Sequence, residues 1–177
     1  MRRIALTASF LFTTRKTASS FVVRQTPRFS VIERRAMGEY TTNAEEREIA
    51  AGMRSTVGST DAEGSIAPTV ASCALGEGIQ KYVLVQASDR YFVRGDPRAS
   101  YHKDAARPLV EELRELGVAH EVLGGGRIQC DLANKKIEIY GYSYGFPWQG
   151  EYRHDLSAAV VKEAYPDFEV TTSNEGY

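Results

Sequence analysis

One stretch, Leu123–Gly145 (LGGGRIQCDLANKKIEIYGYSYG), restricts what this chain can fold into more than any other. Two runs with strand character, Arg127–Leu132 and Lys135–Tyr140, are joined by a short polar connection through Ala133 and Asn134. Connections that short join antiparallel strands, so the pair reads as a hairpin. Glycines stand at both mouths: Gly124, Gly125 and Gly126 before it, Gly141 and Gly145 after it. Glycine lets a backbone come close to another backbone or to a small ligand. The hairpin is therefore a candidate frame for a site, although glycine-rich hairpins are more often only tight corners, and the triplet Gly124–Gly126 reads as the corner between strand and hairpin.

The rest of the chain supplies partners for that hairpin. Lys81–Ala87 (KYVLVQA) is β-branched and aromatic and reads as a strand, followed by a shorter one at Tyr91–Arg94. Asp104–Leu116 carries Leu109, Val110, Leu113 and Leu116 on one helical face, with Gly117 as its stop and Pro108 inside it. Val118–Leu123 alternates as a strand, Asp155–Ala164 repeats with helical period, and Asp167–Thr171 closes as a strand. The order β-β-α-β-β-β-α-β predicts an α+β (mixed α/β) domain, a single mixed sheet of about six strands flanked by two helices.

Ahead of that domain the composition changes. Residues 1–32 hold six basic residues and no acid, with abundant Ser and Thr. This is the make-up of an organellar transit peptide, so residues 1–37 read as a presequence-like leader, disordered and addressed to mitochondria. A secretory signal with Ile4–Phe12 as its apolar core is the competing reading, and a cytosolic protein the alternative. Residues 38–65 read as a linker in which Thr42–Met53 can form a short helix capped by Thr42 or Asn43. The folded domain is expected over 66–177, with Ile66–Val70 as the first segment to touch its core.

Several function classes lose support here. A formal net charge of −1 gives nucleic-acid binding no electrostatic basis. No run approaches the roughly 18 apolar residues of a membrane span. Cys73 and Cys130 form no CxxC pair and read as isolated thiols. The phosphate-loop, dinucleotide, zinc-protease and serine-hydrolase motifs are all missing, and no metal set has recognisable spacing.

Three histidines remain. His120 lies inside an alternating strand and reads as a partly buried or edge residue. His154, between Arg153 and Asp155, reads as a surface residue. His102 precedes the expected helix by about one turn, where the positive end of the dipole favours neutral imidazole. Neutral imidazole is the form a general base or nucleophile needs. Tyr142-Ser143-Tyr144-Gly145 can present successive N–H groups as an anion nest, with Lys81 as a nearby mobile cation or simply a solvated strand end.

Six segments in order, KYVLV (Lys81–Val85), FVRG (Phe92–Gly95), YHKD (Tyr101–Asp104), LGGGRI (Leu123–Ile128), KKIEIYGYS (Lys135–Ser143) and YPDFEVTTSNEGY (Tyr165–Tyr177), resemble the Janus/ocnus family, whose enzyme members are protein histidine phosphatases. The resemblance runs from about Ile66 to the C-terminus and implies metal-independent hydrolysis of phosphohistidine, with no cofactor. Its active histidine falls on His102, its phosphate-binding lysine on Lys81, and its phosphate loop on Ser143, Tyr144 and Gly145. Arg94 and Arg127 match family arginines and take supporting substrate-binding roles. Phosphohistidine proteins or peptides are the implied partners, and a monomer is expected. Tyr144-Gly145 replaces the Met-Ala of familiar enzyme members, and the loop 146–154 is longer. A non-catalytic phosphate or phosphopeptide binder, and a broad phosphoramidate or phospholysine hydrolase, are the alternatives.

Overall fold

The computed structural model describes residues 43–56 and 70–175; the leader read at 1–37 and most of the linker lie outside the described residues. The chain forms helix α1 (Ala44–Arg54) and then strands β1 (Ser55–Thr56), β2 (Cys73–Ala74), β3 (Gly78–Ala87) and β4 (Arg90–Asp96). Helix α2 (His102–Glu115), strands β5 (His120–Asp131) and β6 (Lys136–Tyr140), helix α3 (His154–Ala164) and strand β7 (Glu169–Thr172) follow. All strands join one mixed sheet in the order β2-β4-β3-β5-β6-β7, with β1 paired to β5. The fold is α+β, as the element pattern predicts.

The central strands of the sheet are covered on both faces because they are apolar on both. Val83, Val85 and Ala87 of β3 meet Leu109, Val110 and Leu113 of α2. Tyr82 and Leu84, the alternate residues, meet Ala158 and Val161 of α3 together with Ile137 and Ile139. Full burial of each large apolar side chain contributes about 1.5–3 kcal/mol. Helix α1 joins the α2 layer through Ala50 and Met53.

The glycine triplet does not form a corner. The expected break between Val118–Leu123 and the hairpin is absent, and β5 runs unbroken through Gly124–Gly126. Leu84 faces Gly124 and Val85 faces Val122, which leaves Leu123 as the extra residue of a β-bulge. One inserted residue reverses the alternation. Val122 therefore points into the α2 layer, whereas Ile128 and Cys130 point into the α3 layer. Two predicted strands become one.

Helix ends also differ from the sequence pattern. Asn43 caps α1, its side chain accepting the Glu46 N–H at 2.8 Å. Past Arg54 the chain does not become linker at once, since Ser55 and Thr56 pair with Glu121 and His120. Helix α2 starts at His102, two residues ahead of the expected Asp104. Asp104 accepts the Tyr101 N–H at 2.9 Å, the return half of a capping box, and the helix continues through Pro108.

Candidate active site

The site lies on the α2 face of the sheet. Lys81 stands directly across from Asp96 on one side and Arg127 on the other, and Arg127 stands across from Tyr140. Cross-strand partners share a face, so two cations enter the site from adjacent strands. Gly125 forms its floor. A Cβ there would lie 2.5 Å from the Tyr82 carbonyl oxygen and 3.3 Å from both His102 Cδ2 and Ser143 Cβ. The bare glycine thus lets α2 and the loop after β6 settle onto β5 side by side.

His102 Nε2 is 3.0 Å from the Gly126 carbonyl oxygen. A carbonyl only accepts, so the neutral ring carries its proton on Nε2 and keeps a lone pair on Nδ1. Burial is the main cause that lowers its pKa, to about 4; Lys81 and Arg127 lower it further, and the Gly126 hydrogen bond opposes them. The ring is crowded by protein yet retains some solvent exposure. Neutral imidazole was expected from the helix terminus; burial and two cations are what enforce it here.

Ser143 is buried, and its hydroxyl oxygen accepts the Phe146 N–H at 3.1 Å, closing the turn that follows β6. Phe146 anchors that turn in the α2 layer. Tyr142 and Tyr144 join hydroxyl to hydroxyl at 2.8 Å with their rings edge-on. Among the described residues no acceptor takes the main-chain N–H of Ser143 or Gly145. Two such amides in one tight turn suit an anion.

Lys81 Nζ reaches the Ala99 carbonyl oxygen only at 3.5 Å. Arg94 differs: its guanidinium donates to the carbonyls of Ala71 at 2.6 Å, Ser72 at 3.2 Å and Val93 at 3.0 Å. Those donors tie the segment around residue 72 to β4, so Arg94 is not gathered with the other candidates.

Sequence reasoning missed one wall of the site. Glu46 and Ala50 of α1 line a narrow cleft together with Tyr101, His102, Lys103 and Gly145. Lys103 Nζ lies 2.9 Å from Glu46 Oε2 and 2.9 Å from Asp104 Oδ1, in largely buried surroundings. The approach to Glu46 is off the hydrogen-bonding direction, so that contact acts through charge. The Gly52 and Met53 carbonyls accept from Arg114 at 2.8 Å and His120 at 3.2 Å, and Arg54 donates to the Pro147 carbonyl at 2.6 Å. The only sequence signal for α1 was its capped, acidic first turn, which says nothing of where it docks.

His154 is the second correction. It is fully buried, not at the surface, because both ring nitrogens find partners inside. Nε2–H donates to the Gly141 carbonyl at 3.0 Å, and Nδ1 accepts the Tyr82 hydroxyl at 2.7 Å. The ring thereby ties α3 and β3 to the start of the 141–146 loop. Trp148 lies edge-on to it and flat against Gly124 on the sheet face opposite His102.

A neutral histidine, two cations on neighbouring strands and a turn with available amides meet on one face of this α+β domain, an arrangement whose chemistry suits a small anion. The Janus/Ocnus family model matches residues 68–169, and the chain belongs to that family. It is 37% identical over 112 residues to a 14 kDa phosphohistidine phosphatase of Homo sapiens, covering 57% of this chain and 87% of the relative. The corresponding protein of Sus scrofa is 36% identical over 112 residues, covering 57% and 86%. The sex-regulated protein janus-A of Drosophila yakuba is 37% identical over 106 residues, covering 57% and 76%. His102, Lys81, Arg127 and Ser143–Gly145 all fall inside the segment the family model matches, whereas α1 and β1 fall outside it.

Proposed function

We propose that this protein is a protein histidine phosphatase that hydrolyses the P–N bond of phosphohistidine without a metal. The observation that carries the reading is the His102 tautomer: Nε2–H is held by Gly126, which leaves Nδ1 as an unprotonated base or nucleophile. As base, Nδ1 takes a proton from water while the water oxygen attacks phosphorus. The P–N bond breaks, and its electron pair leaves on the substrate imidazole, which is protonated as it departs. As nucleophile, Nδ1 attacks phosphorus itself and water later releases the phosphate. In either route the Ser143–Gly145 amides, Lys81 and Arg127 stabilise the phosphoryl oxygens. Positioning and electrostatics dominate phosphoryl transfer. Arg94 serves the same site at one remove, by holding the strand edge beside it.

The names of the human and porcine relatives support this chemistry. The arginine-rich, acid-free composition of residues 1–32 supports delivery to mitochondria. One observation favours a second reading, a non-catalytic phosphate binder: Ala50 Cβ would stand 3.3 Å from a Cβ at Gly145, so α1 crowds the phosphate loop. Phosphate release from a phosphohistidine peptide, with EDTA present and phospholysine and phosphoramidate run in parallel, separates the readings. Release well above spontaneous hydrolysis, fastest on phosphohistidine, is expected. Binding without release would assign the chain to the second reading, and equal rates on all three would make it a broad phosphoramidate hydrolase.

A further inference from the structure

The α2 face of the sheet is only half covered. Helices α1 and α2 lie over β3, β4 and the first part of β5, but among the described residues no element covers the same face past Arg127. Gln129 and Glu138 are cross-strand partners there, Asp131 and Lys136 form the next pair, and β7 adds Glu169 and Thr171. These residues line a shallow groove and, apart from the half-buried Asp131, are exposed. Ile79, across from Gln129, adds an apolar side chain that is 54% exposed.

This groove continues directly from the candidate site. Residue alternation along β5 puts Arg127, Gln129 and Asp131 on one face, and that along β3 puts Lys81 beside Ile79. The opposite side of the site is shut, because Glu46 and Ala50 press against Gly145 and Lys103 there with a buried ion pair. Among the described residues, the groove is the side of the site left open to a macromolecular substrate. The groove is acidic: Lys136 is paired with Glu169 at 3.3 Å, Glu138 faces the groove, and Asp131 adds its charge although its two carboxylate oxygens accept from the Asn134 N–H at 2.9 Å and Nδ2 at 2.7 Å.

We propose that the bare face of β5, β6 and β7 is the substrate-docking surface, which takes an extended, basic segment of the phosphohistidine protein running away from its phosphohistidine. The inference rests on the proposed phosphatase reading and names the substrate class of that same site. Strand spacing of about 3.3 Å per residue puts the favourable basic positions about two to four residues from the phosphohistidine. Such a segment meets Glu138 and Asp131 with its cations and Ile79 with its aliphatic stems.

The test uses the full chain and peptides carrying a stable phosphohistidine analogue, flanked at those positions by Lys, Ser or Glu. Each exposed charge pair is expected to tighten binding by about two- to five-fold, less at high salt. Wild type should bind the Lys-flanked peptide tightest. Glu138→Lys should reverse the preference toward the Glu-flanked peptide, and Ile79→Ser should weaken all three. Phosphoramidate turnover, measured on the same proteins, should stay within about twofold of wild type, which also reports a folded site. An unchanged Lys preference in Glu138→Lys would overturn the docking surface. Absence of phosphoramidate and phosphohistidine turnover in wild type would overturn the phosphatase reading instead, and the binding comparison would still decide the docking surface.

Discussion

His102 performs its proposed role only while its ring is neutral, and its surroundings keep it so far into the acid range. With burial, Lys81 and Arg127 lowering its pKa to about 4, the unprotonated form prevails from about pH 5 upward. The value of kcat/KM, corrected for spontaneous hydrolysis, should therefore lose no activity to His102 protonation at pH 6 and fall only as pH approaches 4. The same shift has a stability consequence. The unfolded chain, with histidine near its ordinary pKa of 6.5, binds more protons than the folded chain between pH 6.5 and 4. Stability contributed by neutral His102 is complete above pH 6.5 and is lost as pH falls through that window. His120 and His154, also lowered mainly by burial, act in the same direction. Thermal melts should shift downward from pH 7 to pH 4.5; an increase would contradict the buried neutral histidines. Gly125 sets a second residue-scale constraint. Gly125→Ala places a methyl group 2.5 Å from the Tyr82 carbonyl oxygen, where backbone cannot give way. A cost of about 1–3 kcal/mol in denaturant unfolding is expected. Turnover should fall by up to about 100-fold, since His102 and Ser143 rest on the same spot.

At the scale of elements, the strands with strong apolar or alternating runs were legible, and their connections were not. Lys81–Ala87, Tyr91–Arg94, Lys135–Tyr140 and both later helices follow from periodicity that tertiary packing reinforces. The β5 bulge could not be read, because three glycines carry no apolar pattern and signal a corner as readily as a strand under close contacts. His154 was misplaced for a related reason: its charged neighbours Arg153 and Asp155 suggest solvent, while its partners Tyr82 and Gly141 are distant in sequence. Those partners give the element scale its own test. His154→Ala leaves the buried Tyr82 hydroxyl without its closest partner and releases the Gly141 carbonyl, at a cost of about 1–3 kcal/mol or more. In a double-mutant cycle with Tyr82→Phe the two costs should be less than additive. Additive costs would show that the two side chains do not act as one unit.

For the whole molecule, the two layers divide the work. The α3 layer supplies most of the hairpin's burial and braces the loop after it through His154. The α2 layer brings His102, Lys81, Arg127 and the 143–145 turn together over Gly125. Helix α1 closes one side of that layer from outside the segment that the family model matches, so the approach to the site is set by a part of the chain the family pattern does not describe. The candidate residues within the family segment could be named from sequence because their motifs are local and ordered. Glu46, Ala50 and Lys103 could not, since only docking makes them neighbours.

The central claim is that an unprotonated His102 breaks the P–N bond of phosphohistidine. A positioned base is typically worth about 10²–10⁴ in rate. The most direct measurement is phosphate release from a phosphohistidine peptide in EDTA, by wild type and by His102→Ala matched for thermal melting. Clear catalysis by wild type and a loss of at least about 100-fold in the variant are expected. Near wild-type release by a folded His102→Ala protein would contradict it.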